Sequence, residues 1–144
     1  MAAPVSAGSP AQEALAIANQ LRAKAGCRPL KMEARLVAAA EAHAKDMALR
    51  NYFDHRGANG SSFAQRIKAQ GFWFRAAAEN IAAGNARADQ TMQQWMGSAG
   101  HRRNLLDCRY EFTGIAVYYQ ADDRTLVGQV APLRYYWVQE FATK

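Results

Sequence analysis

The hydrophobic pattern of this chain changes period near residue 110, and this change limits the fold more than any other feature. Before that point, apolar residues recur every three or four positions, as on amphipathic helices. After it, stretches rich in aromatic and branched residues are separated by turn residues, as in β-strands. Helices followed by strands within one unit are typical of an α+β domain, in which helices pack on a sheet.

Capping boxes and glycines mark the ends of five predicted helices. These helices run from 10 to 25, from after Pro29 to about Arg50, from the capping box at Ser62 to Gly71, from Asp89 to Met96, and from Ser98 to about Leu106. His43 lies on the apolar stripe of the second helix, where a histidine is more often a packed core residue than a ligand. The Ser98 hydroxyl is expected to cap the fifth helix by accepting the backbone N–H of His101.

Three strands, predicted to be antiparallel, follow the helices. They are Phe112 to Tyr119, Leu126 to Leu133, and Tyr135 to Phe141, with a further short strand expected at 72–74. Alternate residues of the last strand face opposite sides of the sheet. One face carries Trp137, Gln139 and Phe141, and the other carries Tyr136, Val138 and Glu140. We expect only one of these two faces to pack under the helices.

Length and charge limit the class of protein. A chain of 144 residues holds about one domain, predicted over residues 10–144 after a flexible N-terminal remnant at 1–9. The longest stretches without a charge, 1–12 and 90–101, are shorter than the ~17 to 25 apolar residues of a membrane helix, so no transmembrane segment is predicted. The net charge is +6, but the basic residues are dispersed. This favours a solvated surface over specific nucleic-acid binding.

The first residues and the cysteines point to an exported protein. The opening lacks the basic start and long apolar stretch of a signal peptide, and we interpret it as a mature chain whose signal peptide has been removed. Two cysteines, Cys27 and Cys108, fit such a compartment if they form a disulfide. Two buried thiols are the alternative.

Two histidines and one glutamate are the residues best suited to chemistry. His55 and His101 lie in or beside loops flanked by glycines, and Glu79 is the only acid between Arg75 and Arg87. Two imidazoles and one carboxylate suit a divalent cation of the Zn²⁺ type if they converge. Their spacing imposes no shared face, so the sequence alone leaves that convergence open.

Six groups of residues follow one another along nearly the whole chain. They are Leu36 with Ala39-Ala40 and His43-Ala44-x-Asp46-Met47, Phe53-x-His55, Gly60-x-x-Phe63-x-x-Arg66, Ala78-Glu79-Asn80-Ile81-Ala82-x-Gly84, Trp95-Met96-x-Ser98-x-Gly100-His101-Arg102-x-Asn104-Leu105-Leu106, and Tyr136-Trp137-Val138-Gln139-x-Phe141. As a set they resemble the CAP superfamily of cysteine-rich secretory proteins, antigen 5 and pathogenesis-related 1, particularly its compact bacterial SCP-like members.

The resemblance implies an α-β-α sandwich, with a small antiparallel sheet of three to four strands between helices, and a secreted or periplasmic location. It also implies a cleft in which His55, Glu79 and His101 match three of the family's four polar site residues and can hold a divalent cation such as Zn²⁺, with no cofactor required. Larger eukaryotic members carry a second glutamate where this chain has Ser98, so the site is less negative. Gln139 is our candidate for supporting the site.

Three functions follow as hypotheses. The first is a monomeric domain that binds an unidentified small ligand, lipid or cell-surface component in a cleft formed by His55, Glu79, Ser98, His101 and Gln139, with His55 and His101 as metal ligands. The second is a metal-dependent hydrolase with Glu79 as general base. The third is a structural domain that binds anionic surfaces through its arginines.

Overall fold

The computed structural model of the protein describes residues 8–144, which form five helices and a four-stranded sheet. The helices are α1 (Pro10–Lys24), α2 (Ala34–Arg50), α3 (Phe63–Ala69), α4 (Ala88–Met96) and α5 (Ala99–Leu105). The strands are β1 (Lys31–Met32), β2 (Ala76–Ala83), β3 (Phe112–Tyr119) and β4 (Tyr135–Thr143). The five predicted helices are confirmed. The predicted flexible remnant at 1–9 lies, for residues 1–7, outside the described residues.

The sheet has the strand order β1-β3-β4-β2. Strand β4 pairs antiparallel with both β2 and β3, whereas the two-residue β1 pairs parallel with β3. The sheet is therefore mixed, and it lies between helices. The predicted α+β class, with three to four strands between helical layers, is confirmed.

Two strand predictions were wrong. Residues 126–133 form an irregular loop between β3 and β4, in which Val127 and Val130 are fully exposed and Gly128 has a φ of +87°. Residues 72–74 do not form a strand either. The strand of this region is β2, which begins one residue after Arg75. Its alanine-rich sequence favours helices, and its buried run carries no clear alternation.

Both faces of the sheet are covered by helices. Helices α1, α4 and α5 pack on the face that carries Trp137 and Phe141. Helix α2 packs on the face that carries Tyr136 and Val138, and α3 joins it there through Ile67. The expectation that only one set of β4 residues packs under helices was wrong, because this central strand is buried on both sides.

Helix α2 lies directly against strand β3. A Cβ atom built on Gly114 would lie 2.1 Å from the backbone carbonyl carbon of Leu36, so only glycine fits at this crossing. The close approach fixes the height of α2 above the sheet. It thereby positions His43, which is buried on the same helix.

Two links hold α1 to the loop that follows α5. A disulfide joins Cys27 to Cys108, which confirms the pairing expected of an exported chain. The buried guanidinium of Arg22 donates hydrogen bonds to four backbone carbonyls, those of Arg28, Leu105, Asp107 and Tyr110. These links anchor the C-terminal end of α5, the helix that carries His101.

Candidate functional site

A histidine and a buried glutamate form the centre of the candidate site. Glu79 lies on β2, the edge strand, and its side chain has no exposed surface. Its Oε1 lies 2.8 Å from Nδ1 of His55, whose side chain is 52% exposed. An ionised Glu79 accepts this hydrogen bond, so the proton of a neutral His55 lies on Nδ1. Among residues 8–144, no side chain or backbone group bonds the other ring nitrogen, Nε2.

Arg66 of α3 holds this pair in place. One terminal nitrogen of its guanidinium donates to Glu79 Oε2 at 2.8 Å and to the His55 carbonyl, also at 2.8 Å. The other donates to the Ser61 carbonyl at 3.0 Å. Both carboxylate oxygens of Glu79 are therefore engaged, and the loop that carries His55 is tied to α3.

A second buried carboxyl, that of Glu140, lies beside Glu79. The two residues face each other across the β2–β4 pairing, and Glu140 is completely buried. Burial, followed by the negative charge of Glu79, raises the pKa of Glu140 well above its ordinary value. We conclude that the raised pKa keeps a proton on Glu140 while the adjacent Glu79 is ionised; within residues 8–144, neither carboxyl oxygen of Glu140 has a hydrogen-bond partner.

The pKa of Glu79 moves in the opposite direction. Burial acts to raise it, but the hydrogen bond from His55, the neighbouring Glu140 carboxyl and the charge of Arg66 outweigh burial and lower it. The hydrogen bond to Glu79 in turn raises the pKa of His55. Such opposite shifts in two adjacent carboxyls assign the negative charge to Glu79 and the proton to Glu140.

His101 approaches from α5, which packs on the other face of the sheet. The Asn80 side chain donates to the His101 carbonyl at 3.1 Å and accepts from Asn104 at 2.9 Å. Burial, with a smaller contribution from the charge on His55, lowers the pKa of His101. Within residues 8–144, direct contact with Glu79 is made by His55, whereas the His101 ring forms no hydrogen bond to either residue.

Gln139 and Ser98, two residues predicted to line the cleft, make no hydrogen bond to the His55–Glu79 pair. Gln139 is buried and donates to Thr113 at 3.0 Å. It lies on the opposite face of the sheet from Glu79, because Glu79 pairs with Glu140. Ser98 precedes α5 as its N-cap residue, but its side chain forms no capping hydrogen bond. The predicted capping by this hydroxyl was wrong.

His43 supports the site from α2. It is buried, as its position on the apolar stripe predicts, and its Nε2 lies 2.7 Å from the carbonyl oxygen of Asp54. Since a carbonyl only accepts, Nε2 of His43 carries the proton. This bond holds Asp54, the residue that precedes His55.

Sequence reasoning missed two residues of the cluster as functional residues, Arg66 and Glu140. Arg66 stands in a motif of the resemblance, but nothing in the sequence paired it with Glu79, 13 positions further along. Glu140 carried a signal, since it is an acid in a strand of aromatic and branched residues. A carboxyl in such a strand needs a partner or a proton.

Within the described range 8–144, no group of three or more His, Cys, Asp or Glu side chains is placed to hold a metal ion. The potential metal ligands of the cluster are the imidazoles of His55 and His101, since the Glu79 carboxylate is engaged by His55 and Arg66.

Among the helices of residues 8–144, none combines the length and the apolar composition that a membrane span requires.

Residues 15–141 match the cysteine-rich secretory protein family, CAP. The chain belongs to the CAP family. It is 33% identical over 113 residues to the uncharacterized protein YkwD of Bacillus subtilis (strain 168), a match covering 78% of this chain and 44% of YkwD. The chain thus spans less than half the length of this relative.

Solved structures of CAP and surface proteins have the same fold. An extracellular protein of Bacillus anthracis that contains an SCP domain superposes with a TM-score of 0.80 at 27% identity, over 94% of this CAP chain and 40% of that one. An outer surface protein of Borrelia burgdorferi superposes with a TM-score of 0.79 at 18% identity, over 94% and 92% of the two chains.

Proposed function

We propose that this CAP domain is secreted or periplasmic and binds a ligand in the cleft through His55 and His101. The observation that carries the proposal is the 2.8 Å contact between Nδ1 of His55 and Glu79. It fixes the orientation and tautomer of a half-exposed imidazole and directs its function to Nε2. The extracellular and outer-surface neighbours support the location.

A divalent cation such as Zn²⁺ is the species that this donor set would select. A carboxylate that accepts from one ring nitrogen of a histidine is the usual partner of a metal-ligating imidazole. His101 has a lowered pKa, so it is neutral and has a free lone pair at neutral pH. Its buried Nδ1 has no hydrogen-bond partner within residues 8–144. Nε2 of His55 and the ring of His101 would each supply one ligand to such a cation, and the bound ligand and water would fill its other coordination positions.

Titration with Zn²⁺ at neutral pH, followed by calorimetry, tests the proposal. We expect His55→Ala and His101→Ala each to weaken binding at least tenfold, because each removes one of two protein ligands. Glu79→Gln is expected to weaken it about 10- to 100-fold by removing the charge that orients His55. Asp122→Ala, which removes an exposed acid from a turn, should bind like the wild type.

Failure to bind Zn²⁺ would assign the cluster a structural role. If Zn²⁺ produces no heat, or if the double variant His55→Ala/His101→Ala binds equally well, the cluster is not a cation site. It would then be a hydrogen-bond network that braces the loop between α2 and α3, and function would lie on the basic surface.

Hydrolysis is a second function that the His55–Glu79 contact favours, because a carboxylate that orients a histidine is an arrangement used in general-base catalysis. Glu79 cannot itself reach a substrate, since it is buried with both oxygens engaged. His55 is therefore the group that would take a proton from water. We expect wild-type protein to hydrolyse p-nitrophenyl acetate and His55→Gln to be at least tenfold slower. Equal rates would exclude this function.

A further inference from the structure

A cleft separate from the histidine site surrounds an exposed tryptophan. Trp73 lies in the turn between α3 and β2 and is 69% exposed. The adjoining cavity has a volume of about 440 Å³ and is lined by Arg35, Gly71, Trp73, Phe74, Arg75 and Lys144. The other two tryptophans, Trp95 and Trp137, are completely buried. Trp73 is thus the one of the three tryptophans that solvent reaches, and it adjoins a cavity lined by basic side chains.

Basic side chains line the cavity beside this indole, namely Arg35, Arg75 and Lys144. The guanidinium of Arg35 lies 4.9 Å from the ring centre of Phe72, and the Lys144 ammonium lies 5.4 Å from the same ring. The Lys68 ammonium lies 5.3 Å from the ring of Phe74. Stacking on aromatic rings orders these flexible side chains.

Most of this charge is uncompensated. Arg35 forms an ion pair with Glu33 at 3.0 Å. Across residues 8–144, however, Lys68, Arg75 and Lys144 form no ion pair with a carboxylate. The cavity is therefore positively charged through Arg75 and Lys144, which line it, and through Lys68, which stacks on its lining residue Phe74. The complementary ligand is an anion.

We propose that this cleft binds an acidic polysaccharide. The apolar face of a sugar ring packs on the indole of Trp73, while its carboxylate, sulfate or phosphate groups pair with Arg75, Lys144 and Lys68. A glycan is favoured over a membrane because Trp73 is the exposed large apolar side chain of this cavity and Phe72 is buried, whereas a membrane surface is bound through a larger apolar area. Single-stranded nucleic acid is disfavoured because its bases stack on several successive aromatic rings.

This proposal is independent of the histidine site. The cleft ends at Arg75, four positions before Glu79 along an extended segment, which is about 13 Å at the rise of a β-strand. None of its lining residues contacts His55, Glu79 or His101 through a hydrogen bond. Loss of binding in either cleft leaves the other intact.

Fluorescence and polarisation measurements test the proposal. Trp73 is the exposed fluorophore, so oligomers of polygalacturonate are expected to change the emission of the protein, whereas dextran of the same length is not. In polarisation assays with a labelled oligomer, Trp73→Ala and the double variant Arg75→Gln/Lys144→Gln are each expected to bind at least tenfold more weakly. Added salt should weaken wild-type binding, because exposed charges are screened.

The matched control is Lys45→Gln/Arg124→Gln, which removes one lysine and one arginine from exposed positions outside the cleft. It should bind polygalacturonate within about twofold of the wild type. Equal loss in both double variants would show attraction to net charge alone and overturn the proposal. Binding to phosphatidylglycerol vesicles without binding to polygalacturonate would overturn it in favour of a membrane surface.

Discussion

Replacing Gly114 by alanine is expected to destabilise the folded protein by about 3 kcal/mol or more. The new methyl group would lie 2.1 Å from the carbonyl carbon of Leu36 and 2.3 Å from its oxygen. These are backbone atoms of α2, so the clash cannot be relieved by rotating a side chain, and the helix must move away from the sheet. Overpacking a core against side chains alone typically costs about 1 to 3 kcal/mol, and a backbone obstacle places this variant at or above that range.

Urea denaturation of the wild type and Gly114→Ala measures this effect. The control is Gly100→Ala in α5, where a Cβ atom would meet nothing within 4 Å. Alanine there should be neutral or stabilise the helix by up to about 1 kcal/mol. A loss below about 1 kcal/mol for Gly114→Ala would show that α2 moves away from β3 at little cost.

This crossing illustrates why the sequence predicts helices better than the sheet. The ends of α1 and α3 were readable because capping boxes at Ser9 and Ser62 are local signals. Strand β2 was not readable, since its alanines favour a helix and its strand structure depends on pairing with β4, about 60 positions away. The valines of the 126–133 loop gave the opposite error, because branched residues without a partner strand do not form a sheet.

The same contrast between local signals and long-range pairing applies to the candidate site. His55, Glu79 and His101 were identified by motifs, which identify residues but not contacts. The roles of the residues within the cluster depend on the strand register, which the sequence alone does not give. The pairing of Glu79 with Glu140 places a second acid beside the first. The same register places Gln139 on the opposite face. Glu140 is conspicuous as an acid among aromatic and branched residues, but its pairing with Glu79 has no local sequence signature.

A change of pH should reveal this carboxyl pair. The pKa of Glu140 is raised above its ordinary value of 4.5, so above that pH the folded protein holds a proton that the unfolded chain has released. Its contribution to stability is complete below about pH 4.5 and is lost as the pH rises toward the folded pKa, by up to about 1.4 kcal/mol per pH unit. The charged groups that act on Glu140 are Glu79 and Arg66.

Glu140→Gln removes this titration and keeps the shape of the side chain. We expect the stability of the wild type, relative to Glu140→Gln, to fall as the pH rises above about 5, because the folded protein retains a proton that the unfolded chain releases. His55, whose raised pKa also lowers stability above its ordinary range, titrates in both proteins, as do His43 and His101 with opposite sign. Their contributions largely cancel in the difference.

Chemical denaturation at several pH values measures this difference, with Glu41→Gln on the exposed side of α2 as the control that should follow the wild type. Parallel profiles for the wild type and Glu140→Gln would mean that Glu140 ionises without cost. Two adjacent buried carboxylates would then share one arginine, an arrangement that low dielectric disfavours. A steeper decline in the wild type would instead place the proton on Glu140, leaving Glu79 charged to orient His55.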